Sequence, residues 1–168
     1  MKGSNYRRPN GMPLTHRDYA GGVPNLRIAR FSTGSARSDY EVTLEMRSTE
    51  MAQIRDQAIE AARVAANKKM NPIGEENYRL TVKQYPHVII SENKMIATAG
   101  ADRLQEGMRR AYGKPIGRAA RVRPETVIMV IETMQKDLSL AKKALATAGS
   151  KMPMPIRVNV VNAPNSGT

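Results

Sequence analysis

The amino-acid sequence predicts an α+β protein, in which a mixed or antiparallel sheet has helices packed on it. Residues 40–46 alternate apolar and polar side chains, and residues 126–133 are rich in β-branched ones, so both predict strands. Two other segments, beginning near residue 50 and at residue 135, repeat apolar residues at helical spacing. These strands and helices do not alternate strictly along the chain, which favours a sheet with its helices on one side.

The first half of the chain predicts two strands and a long helix. Residues 25–31 form a short strand, and residues 40–46 form a strand with one buried face. The helix begins at Ser48 or Thr49, either of which can cap its first amides, and ends near residue 71, where a proline follows.

The second half predicts four strands and two helices, separated by proline and glycine. Pro86 divides the first two strands, and Gly149 is expected to cap the last helix. In order, the elements are strands at 78–82 and 88–90, a short helix at 102–112, a strand at 126–133, a helix at 135–148 and a strand at 156–161.

Bulk composition limits the function. The chain has 168 residues, enough for one domain with a modest core, and no cysteine, which excludes disulfides and thiolate metal sites. It has no run of about 18 apolar residues, so no membrane span is expected, and its first residues do not resemble a secretory signal. A net charge of +12 and an isoelectric point near 10.3 indicate a polyanionic partner, above all a nucleic acid.

The excess charge is concentrated in two segments. Residues 1–38 hold seven Lys or Arg and one acidic residue, and residues 99–123 hold seven and two. A uniformly basic surface, the alternative, would spread the charge evenly. We therefore expect a basic N-terminal arm at 1–25 that orders on RNA and a single domain at 26–161. That domain has a long basic, glycine-rich loop at 99–123, and a disordered tail follows at 162–168.

Signatures of catalysis are weak in this sequence. The stretch from Gly107 to Lys114 resembles a phosphate-binding loop, but the glycine spacing is wrong and Pro115 replaces the residue that would bind magnesium. His16 and His87 have no partners at metal-ligand spacing. We expect no catalytic residue, no metal site and no cofactor.

Arginine dominates the basic segments, and aromatic residues make up only 4% of the chain. Arginine suits bidentate contacts with phosphates, whereas base stacking would need more aromatic side chains. We expect shape and phosphate recognition of folded RNA; the alternative for 99–123 is a solvated hairpin with an incidental charge run. The candidate RNA ligands are Lys2, Arg7, Arg8, Arg17, Arg27, Arg30, Arg103, Arg109, Arg110, Lys114, Arg118, Arg121 and Arg123.

Several short runs resemble the archaeal and eukaryotic branch of one ribosomal family. They are RDYAGGVP at 17–24, QIR at 53–55, EAAR at 60–63, YPH at 85–87, ENK at 92–94, GADR at 100–103, GMR at 107–109, GKP at 113–115 and ARV at 120–122. The chain is similar, from about Tyr6 to Val160, to the universal large-subunit protein numbered sixteen in bacteria and ten-e in archaea, also called the QM protein in eukaryotes.

The resemblance implies an α/β-hammerhead fold and a structural role without chemistry in the cytoplasmic ribosome. It implies docking on large-subunit rRNA near the 5S rRNA, beside neighbouring ribosomal proteins and close to the path of the A-site tRNA. The loop at 101–118 would point towards the peptidyl transferase centre, with a tRNA-proximal set of Gly107, Met108, Arg109, Arg110, Gly113 and Lys114. The arm at 1–13 matches the family only loosely, and 161–168 is an extension without an implied role.

Two other classes remain open from the residues alone. A free RNA chaperone or DNA-compacting protein would use the same charge without a fixed site. An RNA-modifying enzyme would need a nucleophile, metal set or cofactor loop that the sequence does not offer.

Overall fold

The computed structural model describes residues 2–9, 11–13, 15, 17–37, 39–96, 100 and 106–162. Within them lie eight strands and two α-helices, joined by turns and short 3-10 segments. They are β1 (Ser32–Gly34), β2 (Val42–Ser48), β3 (Ala52–Arg55), α1 (Asp56–Met70), β4 (Tyr78–Val82), β5 (Val88–Glu92), β6 (Lys114–Val122), β7 (Val127–Thr133), α2 (Leu138–Gly149) and β8 (Ile156–Asn162).

The strands form two antiparallel sheets. A five-stranded sheet, hereafter the large sheet, has the order β1-β4-β7-β2-β8, and a three-stranded small sheet has the order β3-β6-β5. The α+β class and the antiparallel pairing are confirmed, but the single sheet that the sequence suggested is wrong, because residues 52–55 and 114–122 pair with each other.

The hydrophobic core lies between the large sheet and the two helices. Val42, Leu44 and Met46 of β2 point inward, as the alternation predicted, and Ile131 of β7 is fully buried. Helix α1 packs on α2 and also contacts the small sheet, and α2 contacts β2, β7 and β8. Both helices therefore lie on one face of the large sheet, as expected.

Helix α1 begins later than its sequence pattern predicted. Ser48 ends β2, and Thr49 donates a hydrogen bond to the carbonyl of Pro155 instead of capping a helix. The helix starts at Asp56, whose carboxylate accepts a hydrogen bond from the amide of Gln57. An acidic residue at this end is favourable because the first helical amides carry partial positive charge.

The predicted strand at 25–31 is also wrong. Its amides bond to carboxylates of α1: Arg27 N–H donates to Asp56 over 3.1 Å and Ala29 N–H donates to Glu60 over 3.3 Å. Regular pairing begins only at β1, three residues long. The helix thus satisfies backbone groups that a neighbouring strand would otherwise bond.

The basic loop predicted at 99–123 is largely a strand at its C-terminal end. β6 covers residues 114–122, and the predicted short helix at 102–112 is represented by one 3-10 turn, Gly107–Arg110; residues 101–105 lie outside the described part. At the other end of the chain, Asn162 closes β8 and pairs with Val42, so it does not belong to a tail, and 163–168 lie outside the described residues.

Gly149 is the last residue of α2 rather than a cap in a left-handed conformation. A Cβ atom at this position would lie 2.6 Å from Cγ1 of Ile156, so glycine allows the helix end to approach β8. None of the helices that the structure describes is long and apolar enough to cross a membrane.

Candidate nucleic-acid interface

The N-terminal arm lies on the small sheet. Gln53 of β3 donates its side-chain Nε2–H to the carbonyl of Tyr6 over 2.7 Å, and its backbone N–H donates to the carbonyl of Arg7 over 2.7 Å. The guanidinium of Arg55 lies 5.0 Å from the centre of the Tyr6 ring, within cation–π range. The protein itself thus supplies hydrogen-bond partners for these arm residues, and ordering of the arm on RNA stays a prediction.

Two of the candidate RNA ligands on β6 also bind the arm. Arg118 donates from Nε to the carbonyl of Pro24 over 2.7 Å and from Nη1 to the hydroxyl of Tyr85 over 3.1 Å. Arg121 donates from Nη2 to the carbonyl of Gly11 over 2.8 Å. Both side chains are half-buried. RNA binding by these two arginines stays a prediction; in this structure they bond to protein groups.

The hairpin tip comprises the described residues between β5 and β6, namely 93–96, 100 and 106–113. Asn93 Nδ2–H donates to the carbonyl of Gly107 over 2.9 Å and so holds the 3-10 turn beside the end of β5. Gly113 has φ 71°, and a Cβ atom there would overlap the backbone of Glu92. Glycine is required at this point because the returning chain passes directly against the outgoing one.

A cavity of about 710 Å³ lies between the hairpin tip and the start of β6. Its lining combines basic, acidic and apolar side chains, including Arg110, Lys114, Glu92, Glu106, Ile96 and Ile116. Met108, 71% exposed, and Tyr112, 42% exposed, lie on the same tip. Large exposed apolar side chains beside basic ones suit contact with nucleobases as well as phosphates.

The proposed tRNA-proximal residues share this tip. Met108 and Arg109 are exposed in the 3-10 turn, and Lys114 is exposed at the start of β6. Arg110 is 82% exposed and forms an ion pair with Glu106 over 2.8 Å. The structure thus brings the tRNA-proximal set together on one hairpin.

The other candidates have different surroundings. Arg7 pairs with Glu50 over 3.3 Å. Arg103 lies outside the described residues, and Arg17 begins a short 3-10 turn. The exposed members of the set, which form no ion pair within the described part of the chain, are Lys2, Arg8, Arg27, Arg30, Arg109, Lys114 and Arg123.

A pair of charges on α1 anchors the segment that presents Arg27 and Arg30. Glu60 accepts two hydrogen bonds from Arg63, the shorter being 2.7 Å, and Arg63 also donates to the hydroxyl of Thr33. The hydrogen bond from Arg63 lowers the pKa of Glu60, although burial acts in the opposite direction. The same contact raises the pKa of Arg63, so both groups are charged at neutral pH.

The outer face of the large sheet has a balanced charge. The three arginines on its strands are paired: Arg79 with Glu132 over 3.7 Å, Arg47 with Glu45 over 2.6 Å and Arg157 with Glu125 over 3.5 Å. This face offers little net attraction to phosphates. The free positive charge lies instead on the arm, the segment after it, the hairpin tip and the end of β6.

Sequence reasoning missed the residues that hold the arm. Gln53 and Arg55 were expected in a helix, where alternation with Ala52 and Ile54 does not separate a buried face from an exposed one. Once β3 is recognised as a strand, the alternation puts Ala52 and Ile54 in the core and Gln53 and Arg55 on the opposite face. Among the described residues no group of three His, Asp or Glu could hold a metal ion.

Comparison with known proteins gives a consistent assignment. The family model described as "Ribosomal protein L16p/L10e" matches residues 2–159. A protein of Staphylothermus marinus named "Large ribosomal subunit protein uL16" is 47% identical over 154 residues, covering 91% of this chain and 88% of the relative. A protein of the same name from Hyperthermus butylicus is 46% identical over 153 residues, covering 90% of this chain and 85% of the relative. Another from Sulfolobus acidocaldarius is 43% identical over 158 residues, covering 92% of this chain and 90% of the relative. Since the family model and these relatives cover nearly the whole chain, the chain belongs to the L16p/L10e family of ribosomal proteins.

Proposed function

We propose that this protein is a structural constituent of the large ribosomal subunit that binds large-subunit rRNA and helps to shape the region where aminoacyl-tRNA is accommodated. Membership of the L16p/L10e family makes it a ribosomal protein and not an enzyme. The relatives that it matches are named as proteins of the large subunit. The proposal for this chain adds the rRNA contacts and the neighbourhood of the tRNA.

The observation that supports this proposal best is the separation of free and paired charge. Arg8, Arg109 and Arg123 are exposed on the arm, on the hairpin tip and at the end of β6. The arginines of the large sheet are neutralised by carboxylates. Phosphate contacts contribute most of the affinity of a basic protein for RNA, so the side with free arginine is the one expected to face the rRNA.

The hairpin tip is proposed to face the tRNA path. It lies between β5 and β6, and its exposed Arg109, Met108 and Tyr112 precede the exposed Lys114 at the start of β6. The family resemblance extends the proposal to the 5S rRNA and to neighbouring ribosomal proteins as partners at this location.

Fractionation of a native cell lysate tests the proposal. At low magnesium the subunits separate on a sucrose gradient, and mass spectrometry can follow the protein across the fractions. We expect near-stoichiometric recovery with the large subunit that persists through a moderate salt wash. Recovery at the top of the gradient, or spread over every RNA-containing fraction, would overturn the proposal and favour a free RNA chaperone.

A further inference from the structure

Side chains of the small sheet bind main-chain carbonyls of the arm at three separate points. Gln53 binds the carbonyls of Tyr6 and Arg7 near the start of the arm. Arg121 binds Gly11 in the middle, and Arg118 binds Pro24 at the end. Between the last two points, Thr15 lies 3.4 Å from Ser91 of β5, hydroxyl to hydroxyl.

The register of the small sheet explains why these points act together. Gln53 of β3 lies opposite Arg121 of β6, so the two side chains extend from one pair of adjacent strands. Between them they bind arm residues 6, 7 and 11. Both are half-buried, and Nε of Arg121 is buried with no hydrogen-bond partner among the described atoms. Arg121 therefore lies beside the arm, with its Nε buried and its Nη2 bonded to Gly11.

Arg118 is fixed in a similar way. Its Nε and Nη1 donors are directed to Pro24 and Tyr85, and the Tyr85 ring stacks on Phe31 with 5.7 Å between ring centres. The contact joins the end of the arm to the start of β5. A phosphate could take over these two hydrogen bonds only by displacing Pro24 and Tyr85.

We infer that Arg118 and Arg121 are positioning residues, which hold the arm on the small sheet before RNA arrives and do not themselves bind phosphates. Lys2 and Arg8 are then exposed on an arm that is already attached to the small sheet. A preassembled arm loses less conformational entropy on binding than one that must order on the RNA. The inference rests on the proposed function for its RNA partner, but the docking of the arm can be tested without RNA.

Limited trypsin digestion of the free protein tests the docking directly. We expect cleavage after Arg7 to be slow in the wild-type protein and much faster in Arg121→Met, because the released arm can enter the protease. The matched control is Arg123→Met. It removes the same charge at a position two residues along the chain from Arg121, where the arginine side chain is exposed and has no bond to the described residues of the arm. Equal cleavage rates in the three proteins would overturn the inference.

The salt dependence of binding to a large-subunit rRNA transcript provides a second test. Each phosphate contact contributes about 0.7–0.9 to the slope of log affinity against log salt. Arg8→Met should remove about one such contact. Arg121→Met should remove the contacts of Lys2 and Arg8 together, which lowers the magnitude of the slope by about 1.4–1.8. Adding Arg8→Met to Arg121→Met should then cause no further change in the slope. By contrast, the effects of Arg8→Met and Arg123→Met on the slope should be additive.

The outcomes are distinct. Additive effects of Arg8→Met and Arg121→Met, with an unchanged trypsin pattern, would show that Arg121 is itself a phosphate ligand and would overturn the inference. If the wild-type protein does not bind the transcript, the proposed function fails while the trypsin result still decides the docking of the arm. Circular dichroism checks folding, and Arg118→Met, which releases the arm at Pro24, replaces Arg121→Met if that variant does not fold.

Discussion

At the scale of single residues, the pair of Glu60 and Arg63 binds groups of the segment at 29–33 that a neighbouring strand could otherwise bind. Glu60 binds both Arg63 and the amide of Ala29, while Arg63 reaches Thr33 of β1. The segment between the arm and the large sheet is thereby attached to α1. This pair also makes a measurable link between stability and pH.

Replacing Glu60 with Gln is expected to lower the free energy of unfolding by roughly 1–2 kcal/mol at neutral pH, because a charge-assisted hydrogen bond is lost. The pKa of Glu60 is lower in the folded protein than in the unfolded chain. Its contribution is therefore complete above the unfolded value of about 4.3 and disappears as the pH falls through the folded value. Urea denaturation from about pH 7 to about pH 3 should show the variant and the wild type converging at the acid end.

The control for this experiment is Glu76→Gln, an exposed glutamate outside the pair. It should lie close to the wild type at every pH. A difference between Glu60→Gln and the wild type that stays constant down to the lowest pH would contradict the proposed role of the Glu60 charge.

The close approach of the chain at Gly113 gives the second prediction at this scale. Gly113→Ala should lower the free energy of unfolding by roughly 1–3 kcal/mol, because alanine is strained at this positive φ and its Cβ would overlap the backbone of Glu92. Gly117→Ala is the matched control, since no atom lies within 4 Å of a Cβ placed there. Chemical denaturation measures both, and similar losses would argue against a close chain crossing at Gly113.

At the scale of elements, β7 is the centre of the fold. It is the middle strand of the large sheet and pairs with β4 on one side and β2 on the other. Its outward-facing Val130 is only 5% exposed, although the face as a whole is polar. Position in the sheet, and not only the facing direction, therefore determines burial here.

Val130→Asp should unfold the domain or lower its stability by several kcal/mol, because a carboxylate would be buried without a partner. Val161→Asp makes the same change on the same face, but on the edge strand β8, where the side chain is 42% exposed. Thermal unfolding followed by circular dichroism should show a large loss of Tm for the first variant and little for the second. A mild effect of Val130→Asp would mean that the centre of this face is accessible to water.

At the scale of the whole molecule, the two sheets have different roles. The large sheet and the helices form the core and present a face with balanced charge. The small sheet holds the arm and extends into the hairpin tip, where Arg109 is exposed and forms no ion pair within the described part of the chain, whereas Arg110 is paired with Glu106. This asymmetry predicts which charges matter for assembly.

Reversing Arg109 and Arg110 to Glu should weaken incorporation into the large subunit and leave thermal unfolding of the isolated protein nearly unchanged, because both side chains are exposed. The control reverses Lys142 and Lys143, exposed on α2, which changes the net charge equally. Incorporation is measured by quantitative mass spectrometry of gradient fractions. Equal losses for the two double variants would mean that net charge, and not the tip, controls incorporation. A large fall in Tm for the tip variant would mean that these residues support the core.

Elements with a local signal could be predicted from the order of the amino acids alone. The alternation in β2 and β4, the β-branched run in β7, the end of α1 near residue 71 and the body of α2 all follow from hydrophobic periodicity. The concentration of positive charge and the runs shared with a ribosomal family were equally visible, because both are properties of composition and order.

The strands β3 and β6 and the contacts of Arg118 and Arg121 could be recognised only in the folded chain. Residues 52–55 have good helix formers and residues 114–122 include proline, glycine and alanine, so neither segment indicates a strand alone. They become strands because each supplies the other's backbone hydrogen bonds, with Ala52 opposite Val122, far away in sequence. An arginine likewise shows its charge in the sequence, but the atom that it binds is the one that folding brings within reach, here a carbonyl of the arm.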